Sequence, residues 1–252
     1  MTRTILNTFG GSIVIYLFDG STYGFLTAFL AAFHDENALL VSKTTQLYIG
    51  ETPITVRTDE TRAQKAAARL TKLDKKALHD LDILLRCQES DNEQVAFLYL
   101  RFLAKTGGPV RNRFAQPCVF QAVTYMKKVA LEIHRFHGFI RFMETESGAL
   151  YAPFSPDNDI CDLLVPHFRS RFPKFPFVLH DVGRKKAAVY DGANVFIAPL
   201  DQASVVISGD ELTLQTLWKE YYRAVNIPAR ERLQQMRGYM PVRYWKYLTE
   251  KL

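Results

Sequence analysis

The sequence predicts an α+β protein in which a strand and a helical layer precede a mainly antiparallel five-strand sheet flanked by helices. Three observations lead there. Apolar residues between 59 and 106 recur at helical spacing, and between 139 and 197 the spacing drops to two in short runs split by Ser147-Gly148 and Asp191-Gly192. The chain has 252 residues, 48% apolar and 23% charged, which is enough to bury one large core or two smaller ones.

The first strand is expected over 12–18, where Ile13, Val14 and Ile15 are β-branched, and Asp19-Gly20-Ser21 ends it. Ser21 or Thr22 caps a helix to about Asp35, with Phe25, Phe29 and Phe33 on a broad apolar face. Thr45–Ile49 is a short apolar piece, and 52–58 is extended. Three helices follow, marked by Ala63/Ala66/Leu70, by Leu78/Leu81/Leu85 and by Val95/Leu98/Phe102; Gly107-Gly108-Pro109 stops the last. Pro117 suits the first turn of a long helix to about Arg135, with Gly138 as its end. Strands are then expected at 139–146 and 149–154, a short helix at 159–171, and strands at 177–182, 186–190 and 193–197. Helices at 210–224 and 229–236 precede an aromatic tail. A boundary near 110 divides the chain into 1–110, the strand and helical region, and 111–252, the α+β region; the two can share one core.

Cys87, Cys118 and Cys161 are far apart, so neither a disulfide framework nor a cysteine-rich zinc or iron–sulfur site is expected, and no cofactor is implied. No apolar run is long enough for a membrane span, and a leader pattern is lacking, so a cytoplasmic protein without membrane partners is the expectation. The formal charge is +6, from 32 basic and 26 acidic residues. Residues 219–246 concentrate seven basic groups against two acidic ones, the composition of a phosphate-contacting element.

The glycines near 20 form neither a dinucleotide fingerprint nor a Walker loop. Asp19 would compete with a phosphate for the amides at the helix start. The catalytic candidates are His134, His180, Asp181 and Asp157. They are weighed against bland roles: helix capping for Asp157 and a packed hinge histidine for the neighbouring His137. His180 and Asp181 face opposite sides of a strand and so cannot form a simple dyad. No nucleophile stands in a recognisable motif. The nucleic-acid candidates are Arg135, Arg141, Arg184, Lys185, Arg230, Arg243, Tyr244 and Trp245. A guanidinium suits a carboxylate as well as a phosphate, and Glu132, Glu144 and Asp181 are candidate partners for Arg135 and Arg141. The interleaved cations and rings of 243–247 suit either base stacking or docking of the tail onto the body.

Six blocks carry a resemblance: YLFDGSTYGFLTAF (16–29), EIHRFHGFIRFME (132–144), YAPFSPDNDI (151–160), FVLHDVGRKKAAVYDG (177–192), LWKEYYRAVNIPARERL (217–233) and MPVRYWKYLTE (240–250). The chain resembles a bacterial family of probable DNA metabolism proteins characterised by a C-terminal domain of unknown function. The resemblance implies DNA as a partner. It also implies a companion radical SAM protein similar to spore photoproduct lyase, or a uracil-DNA glycosylase-like domain of the kind found fused to family members. In that family the His-Asp block more often continues with two adjacent arginines, whereas Gly183 precedes Arg184 here.

The expected function is therefore an accessory factor in DNA metabolism that binds DNA and assists a radical SAM repair or modification enzyme. The alternatives are a DNA-processing enzyme with a His/Asp/Arg cleft, and a non-catalytic protein-binding scaffold. The DNA reading requires distant guanidinium groups to meet on one wet surface beside aromatic rings.

Overall fold

The computed structural model describes residues 13–42, 53–227 and 232–251. The chain divides into two compact units, 1–129 and 130–252.

In the first unit β1 (Val14–Phe18), α1 (Thr22–Ala32) and β2 (Ala38–Ser42) form a parallel β-α-β arrangement, and β3 (Ile54–Thr55) pairs with the other edge of β1. α2 (Glu60–Leu73), α3 (Ala77–Arg86) and α4 (Asn92–Thr106) follow. Local chemistry sets the helix ends. Ser21 Oγ accepts from the Gly24 amide at 2.9 Å, Asp59 accepts from the Arg62 amide at 2.9 Å, and Gly107 closes α4 at φ 78°. Phe18, Phe25, Phe29 and Phe97 pack as edge-on rings in the core. Asp19 lies against the start of α1, where its carboxylate accepts from the Ser21 amide at 2.9 Å and the Thr58 hydroxyl at 2.6 Å. A Cβ on Gly24 would come within 2.1 Å of that carboxylate, so the close approach at Gly24 belongs to Asp19.

The strand β2 was not foreseen; its Ala-Leu-Leu-Val run is short and follows directly on the helix. The apolar piece 45–49 lies outside the described residues. Among the described residues the far edge of β2 has no neighbouring strand. Buried Gln94 of α4 replaces one, donating to Ala38 O at 2.9 Å and accepting from Leu40 N–H at 3.0 Å, while Glu93 accepts from Ser42 N–H at 2.8 Å. Gln94→Leu strands one buried N–H and one buried C=O, so a loss of about 2–4 kcal/mol is expected in urea unfolding. Gln94→Glu keeps only the acceptor and falls between leucine and wild type.

Helix α5 (Pro117–Phe139) continues through Gly138, so the next strand, β4, covers only Met143–Glu144, and the alternation expected from residue 139 begins later. In the second unit β4, β5 (Leu150–Phe154), β6 (Phe177–Asp181), β7 (Lys186–Tyr190) and β8 (Val195–Pro199) form a sheet in chain order. Every neighbouring pair is antiparallel except β5–β6, which is parallel. A parallel pair needs a long crossover, and residues 155–176 supply one: a 3₁₀ turn at Asp162–Leu164 and α6 (Val165–Arg171). α7 (Gly209–Val225), α8 (Leu233–Tyr239) and 3₁₀ turns at Val242–Tyr247 and Thr249–Lys251 complete the unit. Tyr244 and Leu248 are buried, so the tail docks through them and through Tyr244 against Phe136 at 4.5 Å.

Candidate nucleic-acid interface

Glu132 organises the junction between α5, the loop after β5 and the docked tail. Its side chain is 5% exposed and accepts from Asp157 N–H and Asn158 N–H, each at 2.8 Å, from Asn158 Nδ2 at 2.7 Å and from the Tyr244 hydroxyl at 3.0 Å. Arg243 Nη2 stands 3.5 Å from the same carboxylate and also binds Asp157 Oδ2. Burial, and then the Glu132 charge, push the Tyr244 phenol well above its usual value, so it stays a donor.

Arg184 closes the neighbouring turn. It donates to Asp181 Oδ2 at 3.2 Å, to Pro156 O at 3.0 Å and to Asp157 O. Asp181 is fully buried, and desolvation raises its pKa against the opposing pull of Arg184. Arg184 and Arg243 thus converge on the loop at Asp157, but the convergence is filled by Glu132, Asp157 and Asp181. The other candidates are occupied as well. Arg141 donates to Glu250 at 3.0 Å, not to Glu132, Glu144 or Asp181. Arg135 reaches Gly238 O at 3.3 Å, exposed Lys185 pairs with Asp201 at 2.8 Å, and Trp245 Nε1 donates to Met240 O at 3.1 Å. Arg230 lies outside the described residues.

His180 is 2% exposed, with Nε2 at 3.0 Å from the Leu200 carbonyl and Nδ1 at 2.7 Å from the Tyr151 hydroxyl. The carbonyl can only accept, so Nε2 is the donor to it, and in that neutral tautomer Tyr151 donates to Nδ1. Tyr151 belongs to β5, the strand that pairs with β6. His134 is exposed on α5 beside a different pair, His137 and His167, whose rings stack at 4.1 Å. His137 Nε2 is buried with no hydrogen-bond partner among the described residues. Burial, then His167 and His134, lower the His137 pKa below its ordinary 6.5. The unfolded chain therefore takes up a proton before the native state does, and stability is expected to fall as pH drops from about 6.5 toward the depressed native value. A urea series between pH 7.5 and 5 checks this; His137→Phe should flatten the response.

The cations left open lie where the sequence did not direct attention. From 163 to 180 the chain carries Arg169, Arg171, Lys174 and two histidines and has no Asp or Glu. Phe168 is buried and packs edge-on to Phe142 at 5.0 Å, and Phe142 meets Phe172 and Phe177 at 5.2 and 5.9 Å, which anchors α6. Arg169, Arg171, Lys174 and Phe175 remain exposed. None of the three cations has a carboxylate partner among the described residues. The Arg169 guanidinium lies 5.5 Å over the Tyr190 ring. The stretch without acids is visible in the sequence, but whether distant carboxylates reach these cations is set by the fold.

Among the described residues, no group of three or more His, Cys, Asp or Glu side chains is placed to hold a metal ion, and no helix is long and apolar enough to cross a membrane. No curated protein and no solved structure matches the chain. Residues 90–250, which include α4 and every element from α5 to the end of the docked tail, match the family described as a domain of unknown function, DUF4130, and since that is well over half of its length the chain belongs to this family.

Proposed function

We propose that this chain is a cytoplasmic DNA-binding accessory protein that presents DNA to a repair or modification enzyme. The surface of α6 and the turn after it carries the reading: three exposed cations, two of them over rings, with no carboxylate partner among the described residues. Phosphate contacts of this kind give affinity without base selectivity. The companion enzyme of the proposal is a radical SAM protein or a uracil-DNA glycosylase-like protein, supported by the family resemblance in the sequence blocks. The junction around Glu132 and Asp181 keeps the contacting elements in place.

A fluorescence titration with single- and double-stranded oligonucleotides at about 50 and 200 mM salt tests it. The combined Arg169→Gln, Arg171→Gln, Lys174→Gln variant is expected to lower the duplex log K against log salt slope by roughly 0.9 for each phosphate contact removed. Arg243→Gln, whose cation is already held by carboxylates, should leave that slope unchanged. The proposal fails if wild-type protein binds neither oligonucleotide with or without the companion, or if the triple variant keeps the wild-type slope.

A further inference from the structure

We infer that the cleft between the end of α5, the end of α6 and α7 is a pocket for one nucleotide, taking a base against Trp218 and its phosphate on Arg171. This deepens the DNA reading, on which it rests. The cleft has a volume of about 510 Å³ and is bordered by Arg141, Phe142, Arg171, Phe172, Leu214 and Trp218. That size falls within the roughly 300–1,000 Å³ of small-molecule clefts.

Two of its polar groups are fixed in advance. Trp218 Nε1 donates to Glu250 Oε2 at 3.2 Å, and Arg141 Nη2 donates to Glu250 Oε1 at 3.0 Å, so one carboxylate holds both the indole and the guanidinium. Arg141 also donates to Gly138 O at 3.0 Å. Glu211, which borders the cleft, accepts from Gln215 at 2.9 Å and from Glu144 N–H at 3.3 Å. Arg171 keeps its fork open: it lies 5.3 Å over the Phe172 ring and has no carboxylate partner among the described residues.

The indole is 43% exposed although its N–H is fixed, and the Tyr221 ring stands 5.7 Å away at 34°. An exposed, immobilised indole is a platform for a flat ring. A purely apolar ligand would leave the Arg171 guanidinium unused, and a simple anion would leave the indole unused. A base joined to a phosphate uses both, and a guanidinium binds phosphate through two parallel hydrogen bonds.

The chain has two tryptophans, Trp218 and Trp245, so emission reports on the site. Wild-type protein is titrated with thymidine 5′-monophosphate, thymidine and inorganic phosphate at low salt. Saturable quenching by the monophosphate is expected, with thymidine about tenfold weaker and phosphate alone without effect. Trp218→Phe should abolish the quenching and Trp245→Phe should preserve it. Arg171→Gln should weaken the monophosphate about tenfold and leave thymidine unchanged. Quenching that survives Trp218→Phe, equal affinity for thymidine and its monophosphate, or no quenching in wild type overturns the pocket. Oligonucleotide binding without monophosphate binding removes the pocket and leaves the DNA reading; loss of both removes both.

Discussion

Replacing Glu132 with alanine is expected to lower the unfolding free energy of the second unit by about 3–5 kcal/mol, the cost of opening a buried, hydrogen-bonded charge junction. The residue is buried and its carboxylate takes four hydrogen bonds, two from the backbone of the loop after β5 and one each from the side chains of Asn158 and Tyr244. Without it, Tyr244 keeps a buried donor that has lost its acceptor, at a cost of about 1–3 kcal/mol, and the loop after β5 loses the bonds that tie it to α5. Arg243 loses one of its two carboxylates and retains Asp157. Water reaches the exposed part of Arg243 more readily than the buried phenol, so Tyr244→Phe in the alanine background should restore part of the loss. Urea unfolding of the single and double variants gives the coupling. Additive losses would show that Glu132 and Tyr244 act independently, against the geometry.

In the first unit the comparable position is Asp80. It is fully buried on α3, accepts from the Tyr99 hydroxyl of α4 at 2.8 Å and pairs with Arg111 at 3.0 Å. Burial, followed by the Asp80 charge, raises the Tyr99 phenol far above its usual range, so it donates throughout the accessible pH range. Asp80→Ala leaves that hydroxyl buried and unpaired and opens a space beneath it. Arg111 is 42% exposed and recovers water, so its share of the cost is small. A loss of about 2–4 kcal/mol is expected. Hydrogen exchange in α3 and α4 should accelerate accordingly. Tyr99→Phe, which removes the orphaned donor along with its bond, should cost less than Asp80→Ala. The reverse order would place the main stabilisation elsewhere.

The helical layer, the α1 cap at Ser21 and the antiparallel hairpins were legible because each is set by neighbours in the chain. A 3.6-residue period marks α2 to α4, and Asp191-Gly192 marks the β7–β8 turn, with Gly192 at φ 101°. The parallel β5–β6 pair was not legible, because partner choice depends on where the 155–176 crossover lands. The start of β4 moved because Gly138 did not break α5; packed helices tolerate a glycine that an isolated one would not. Gln94 had no sequence signature, since an amide that completes a strand edge 54 residues away looks like any helix-surface glutamine.

The candidate cations divide in the same way. Residue type and local spacing identified Arg141, Arg184 and Arg243 as groups that bind anions, and they do, but their anions are Glu250, Asp181 and Asp157. The cations of α6 differ from them in having no carboxylate partner among the described residues.

By itself the sequence determined the element types, the main caps and turns, and a positive charge balance that favours anions, because these follow from near-neighbour sterics and composition. Tertiary structure alone decided which cations remain open. Charge neutralisation is a short-range pairing between groups that can lie far apart in the chain, 109 residues for Arg141 and Glu250, and only the folded chain brings them within reach.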